Sequence, residues 1–310
     1  MTTMHMDDRF KQCILKHEHI SNPQYEDFSH MHMAAVSTTG PAQPTTVDLR
    51  AKLPPVWDQG NIGSCTAFAL CGCFSKCDKS FDASKLFLYY NERYLDSLQG
   101  DNAPGIDDGS TISQGVSALR KYGVCSTSKW PYVTSLVSTK PSQAAYTEGL
   151  LHQALTVSNI RQDLTQLKGC LQAGFPFAVG IVVFSSFFPD AQGVIPMPKL
   201  DTDSVLGGHA LCVVGYDDVK QCFLVRNSWG PTWGINGHCY IPYTYILDLT
   251  LATDTWKLVS VEVVTPPTPP PVQPKPTPRP TPVPRPRRRI ARAMRASLLQ
   301  VNHGGKAVLK

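Results

Sequence analysis

A chain of 310 residues that is 42% hydrophobic can bury a substantial core, as one large domain or as two lobes. No stretch approaches 18 uninterrupted apolar residues, which excludes a membrane-spanning helix, and the opening segment Met1–Phe10 is too polar for a secretory signal. The net charge of +5 is unevenly held: residues 265–310 carry ten Lys or Arg and no Asp or Glu, leaving 19 basic against 24 acidic residues elsewhere, so any affinity for nucleic acid or membranes belongs to the tail.

Residues 1–45 read as a polar N-terminal leader or short pro-segment. Their histidines (His5, His17, His19, His30, His32) repeat no ligand spacing, so no metal is expected there. Residues 46–264 read as the globular body. Ser64–Ser75 is apolar and small and suits a buried helix. Ser84–Leu98 and Ser113–Tyr122 show helical spacing of apolar residues, the second closed by Gly123, and Leu164–Ala173 is a fourth helix. From Phe175 onward the pattern changes. Phe177–Phe184, Ala210–Tyr216, Cys222–Arg226 and His238–Ile241 read as strands separated by Gly, Asp and Asn turns. Helices in the first half and strands in the second predict an α+β protein of two lobes. After Val264 the run TPPTPPPVQPKPTPRPTPVPRPRRR is expected to be extended polyproline II. Arg287–Val301 then carries Ile290, Met294, Leu298 and Val301 on one face of a basic amphipathic helix.

Three segments carry the chemistry. In DQGNIGSCTAFAL, residues 58–70, Cys65 follows a Gly-Ser turn and opens an apolar helix, whose N-terminus offers unpaired N–H groups and partial positive charge that favour a thiolate. A cysteine before a helix is more often a small packed side chain, so this segment alone decides little. In GGHALCVVGYDD, residues 207–218, His209 heads an apolar strand behind two glycines that let another chain approach closely. In RNSWGPTWGINGHCYI, residues 226–241, Asn227 follows a strand; its side-chain oxygen suits a ring N–H of His209, with Trp229 covering the pair.

Together, over about Val47–Ile246, these segments resemble the papain family of cysteine peptidases. VDLR, the step of six from Gln59 to Cys65, GSC, GGHA…VVGYDD and RNSWG…WG…G stand in that family's order, and SKLFLYYNERY with KYGVCSTSKWPY resembles its first lobe. The wording is similar to a divergent microbial or large-virus branch more than to lysosomal cathepsins. The resemblance implies a helical first lobe, an antiparallel β-barrel-like second lobe and an active-site cleft between them. It implies Cys65 as nucleophile, His209 as base, Asn227 as its orienting partner and Gln59 as an oxyanion-hole donor. Gly109, Ser110, Gly208 and Trp229 would line the substrate, and no cofactor or metal is implied.

Departures from the family stand at Thr66, where an aromatic residue is usual, at Ile62, where a disulfide cysteine is common, and at Ser110, where the second of two glycines is expected. Cys65 to His209 spans 144 positions and Cys65 to Asn227 spans 162, against about 130–150 in the family, which implies an insertion around Asp217–Gln221 or nearby. With ten cysteines in a long chain lacking a signal, reduced and mostly buried thiols are expected, in a cytoplasmic or virion-associated protein. Cys71, Cys73 and Cys77 have no metal-ligand spacing and are expected to pack on a helix. The activity implied is thiol-dependent hydrolysis of peptide bonds, with a polypeptide as substrate. The alternative is a peptidase-like scaffold that binds, or builds a virion, through its basic tail. For residues 265–310 the partners in view are an SH3-like groove for the PxxP repeats, or an anionic partner, nucleic acid or a membrane surface, for the arginines.

Overall fold

The computed structural model describes residues 44–100 and 104–261. The leader, apart from its last two residues, and the tail with its amphipathic Arg287–Val301 segment lie outside the described residues.

The body opens with a short strand β1 (Thr46–Asp48) and a 3-10 turn, Arg50–Lys52. Three helices follow: α1 (Cys65–Phe74), α2 (Lys85–Leu98) and α3 (Ile112–Lys121). All ten residues of α1 are buried, as expected for a helix apolar on every side. It is the central element, packed against α2, α3 and the sheet. Side-chain caps set the starts of the neighbouring helices: Ser84 Oγ accepts from the Phe87 N–H and Thr111 Oγ1 from the Gln114 N–H. Gly123 follows α3 in the left-handed region, φ +65°, and a side chain there would collide with the Gly149 carbonyl.

The second half adds α4 (Gln143–Gly149), β2 (Ala154–Asn159), α5 (Leu164–Gln172), β3 (Phe177–Phe184), β4 (Val205–Asp217), β5 (Cys222–Arg226), β6 (His238–Pro242), α6 (Tyr243–Leu247) and β7 (Ala252–Val261). The strands form one antiparallel sheet in the order β2-β7-β3-β4-β5-β6, with β1 added beside the far end of β4. The fold is therefore α+β with two lobes, as expected, and the sheet of the second lobe is open.

One expectation needs correcting. His209 does not head its strand: β4 begins at Val205, and Gly207 and Gly208 pair with Val183 and Val182 of β3. Asp217–Gln221, where an insertion was expected, is the end of β4 and the turn of the hairpin: Asp217 pairs with Cys222 and four residues turn the chain. The span from His209 to Asn227 is thus strand, tight turn and strand.

Candidate active site

Cys65 is the first residue of α1 and is 1% exposed. Its helix is treated differently from its neighbours. Among the described residues, every other helix of seven or more residues has a side-chain N-cap, on Ser84, Thr111, Ser142 or Asp163. Ser64 precedes Cys65 and makes no such bond. Its hydroxyl lies 2.7 Å from the Tyr132 phenol. The single Tyr132 proton goes to the Gln59 carbonyl at 2.7 Å, so Ser64 must be the donor to Tyr132. Ser64 therefore supplies no acceptor to the first turn of α1, whose positive end lies at the thiol.

Gln59 is fixed from the opposite lobe. Arg226, at the end of β5, donates to the carbonyls of Pro54 and Pro55 and lies 4.5 Å over the Trp57 ring. The Gly230 N–H donates to the Trp57 carbonyl, Asp58 bridges to Trp229, and the Gln59 N–H donates to the Ser228 carbonyl. The side-chain oxygen of Gln59 accepts from Ser228 Oγ at 2.5 Å, and its Nε2 donates to the Ile62 carbonyl at 3.0 Å. Gln59 and Asn227 are therefore tied together through one residue, Ser228.

His209 is fully buried. Its Nε2 lies 2.8 Å from Asn227 Oδ1, and the Ser228 N–H donates to that same oxygen at 2.8 Å. The Trp229 ring stacks on the imidazole, with centroids 4.6 Å apart and planes 18° apart. Nδ1 of His209 has no hydrogen-bond partner among the described residues. Helix and strand meet closely behind these groups. Cys73 Sγ on α1 is 3.7 Å from Cys212 Sγ on β4, and a Cβ on Gly72 would sit 3.2 Å from Cys212 Sγ.

The remaining candidates fall as follows. Gly208 is buried on β4 beside His209. Gly109 is buried with φ +81°, and its N–H donates to the Tyr89 phenol, which donates in turn to Asp107. Asp107 also accepts from the Gly63 N–H, so the turn before Cys65 and the Gly109 turn share an anchor. Ser110 turns its hydroxyl into the lobe, to Asp96 Oδ2 at 2.8 Å. Thr66, where an aromatic residue was expected, donates to Glu92 Oε2 at 2.5 Å. Sequence reasoning missed Ser228, Tyr132, Asp107 and Glu92. Ser228, Tyr132 and Glu92 lie inside segments singled out for resemblance, RNSWG, KWPY and SKLFLYYNERY; Asp107 lies outside them.

The nine described cysteines are all free thiols, and Cys71 and Cys73 are buried on α1 while Cys77 lies just beyond it. Burial raises Cys71 to about 12, which makes it inert at neutral pH. Among the described residues no group of His, Cys, Asp or Glu is arranged to hold a metal ion, and no helix is long and apolar enough to cross a membrane.

A cysteine-bearing helix is thus packed on a sheet whose buried histidine is bonded to an asparagine. The family model described as papain family cysteine protease matches residues 43–248, and the chain belongs to that family. It is 37% identical over 223 residues to an uncharacterized peptidase C1-like protein of Acanthamoeba polyphaga mimivirus, covering 66% of this chain and 69% of that one. A cathepsin B-like protein of Giardia intestinalis is 30% identical over 206 residues, 63% of this chain and 67% of its own. Among solved structures, xylellain, a cysteine protease from Xylella fastidiosa, superposes with a TM-score of 0.64 at 37% identity, over 70% of this chain and 87% of that one.

Proposed function

We propose that the chain hydrolyses peptide bonds in polypeptides with Cys65 as nucleophile, His209 as acid and base, Asn227 as the orienting partner and Gln59 as an oxyanion donor. The observation that carries this reading is the His209–Asn227 bond. Asn227 Oδ1 only accepts, so the bond requires the proton on Nε2 of His209 and leaves Nδ1 to exchange a proton with the thiol. The Cys65 thiolate attacks the scissile carbonyl carbon. As the C–S bond forms, the carbonyl π pair moves to oxygen, where the Cys65 N–H and Gln59 Nε2 donate to it. Collapse breaks the C–N bond while the imidazolium gives its Nδ1 proton to the leaving amine. Water, deprotonated by Nδ1, then cleaves the thioester and restores the thiol. In the same reading residues 46–264 form the peptidase domain, flanked by a leader or pro-segment (1–45) and a Pro-rich basic tail (265–310).

Labelling with an irreversible thiol-directed epoxide tests it. The reduced, folded wild type is expected to take one label, at Cys65, and Cys65→Ala to take none and to lose peptide hydrolysis. A folded wild type that stays unlabelled at Cys65 would favour the scaffold reading and sink this one.

A further inference from the structure

Glu92 stands on α2 directly behind the nucleophile turn, and the peptidase chemistry does not use it. It is wholly buried. Its Oε2 accepts from Thr66, the residue that follows Cys65, and its Oε1 has no partner among the described residues. Room for that oxygen is made by Gly115 in the middle of α3. A Cβ there would lie 2.7 Å from Oε1 and 2.2 Å from a methyl of Leu70 on α1. Helix-interior glycine costs about 1 kcal/mol relative to alanine, so a stability penalty on α3 accompanies the placement of this one carboxyl.

Among the described residues Glu92 forms no ion pair. Arg93 is adjacent on α2, but its guanidinium is turned to carbonyls, those of Pro104, Ile106 and Val137. The ionisable groups that bear on Glu92 are Cys65 from α1 and, from its own helix, Asp96 and Arg93. α3 presents the Gly115 backbone to it. Asp96 lies one turn on, on the same face of α2, and accepts from Ser110. The two acids of α2 therefore hold the residue after the nucleophile and the residue after Gly109. Burial pushes the Glu92 carboxyl well above the ordinary carboxylate range; negative charge on Asp96 and Cys65 pushes it the same way, and the Thr66 hydrogen bond and the Arg93 charge oppose this without cancelling it.

We propose that Glu92 is a positioning residue for the nucleophile: a carboxylic acid kept uncharged, which fixes the Thr66 turn without setting an anion beside the Cys65 thiolate. This inference rests on the reading of Cys65 as nucleophile. It also explains why a threonine replaces the usual aromatic residue after it: the hydroxyl supplies the bond that Glu92 receives.

The test combines the pH dependence of Cys65 alkylation by iodoacetamide with kcat and KM on a peptide substrate, using the full chain. Glu92→Gln keeps the shape, the accepting oxygen and the lack of charge. It is expected to leave the thiolate midpoint within about 0.3 pH unit of wild type and kcat within about twofold. Thr66→Val is expected to lower kcat roughly tenfold at unchanged KM, and Thr66→Ser to restore it. A midpoint that drops by a whole unit in folded Glu92→Gln overturns the proposal, because it shows that an anion was removed. Failure of folded Thr66→Ser to restore kcat overturns it as well. If wild-type Cys65 is not alkylated and the protein does not turn over, the nucleophile assignment itself falls, which is a distinguishable result.

Discussion

The amide oxygen of Asn227 receives two hydrogen bonds, and this decides which nitrogen of His209 can act. One donor is a backbone N–H, which cannot reverse its role, so the accepting atom is oxygen and the histidine bond must be donated by Nε2. Replacing Asn227 with Ala removes that acceptor and frees the ring to take the other tautomer. The expected outcome is a loss of kcat of about 10²-fold with KM little changed, read from steady-state kinetics. A variant that keeps wild-type kcat would show that Trp229 stacking alone orients the ring. The four positions proposed as catalytic were legible as candidates in the sequence because short local patterns carry them. The roles of Thr66 and Ser110 were not. Each departure is matched by an acid on α2, Glu92 or Asp96, and nothing in the intervening sequence marks the pairing. The structure turns two apparent irregularities into one feature: both hydroxyls donate to the same buried face of one helix.

At the scale of elements, what decided legibility was regular period. The four helices and four strands read from the sequence are all present, with ends displaced by a residue or two except at β4. There Gly207 and Gly208 resemble a turn, yet both continue the ladder to β3. β2 and β7 went unread because their pairing is interrupted. Bulges fall between Ala154, Thr156 and Val157, and again where β7 meets β3 between Ala178 and Gly180. Asp254, with φ +60°, breaks the alternation within β7. α4 has only seven residues, too few for a repeating apolar face. The contact that matters most for the site is α1 on β4, because it carries Cys65 toward the strand of His209. Gly72 permits it. Gly72→Val would set branched methyls against Cys212 and force helix and strand apart, at a cost of about 1–3 kcal/mol. The expected result is a Tm lower by several degrees. Activity should fall further than the folded fraction does, since the displaced helix is the one that holds the nucleophile. Equal losses in Tm-corrected activity and folded fraction would mean that α1 relaxes without moving Cys65.

For the whole molecule, Arg226 holds the crossing of Pro54–Gln59 to the sheet, and the residue paired with Arg226 responds to acid. Arg226 anchors it through two carbonyls, and burial lowers the guanidinium to about 10, so it stays charged throughout the neutral range. His238, which pairs with Arg226 across β5 and β6, is different. Its Nδ1 donates to the Asn236 carbonyl and its Nε2 is buried without a partner among the described residues. Burial, aided by the charges of Arg226 and Arg50, lowers it from 6.5 to about 4. Above pH 6.5 the ring is neutral in both folded and unfolded chains and contributes nothing to pH dependence. Between 6.5 and about 4 the unfolded chain binds a proton there and the folded chain does not, so stability falls as pH falls through that window. Below about 4 both forms are protonated and the loss is complete. His238→Asn keeps a donor toward Asn236 and removes the titration. Urea unfolding at pH 7 and pH 4.5 is expected to show that the wild type loses on the order of 2 kcal/mol more than the variant between the two. Parallel losses in the two proteins would place the acid sensitivity elsewhere. A flatter curve in the variant would assign it to this one ring, at the junction that also sets the position of Gln59 and Asn227.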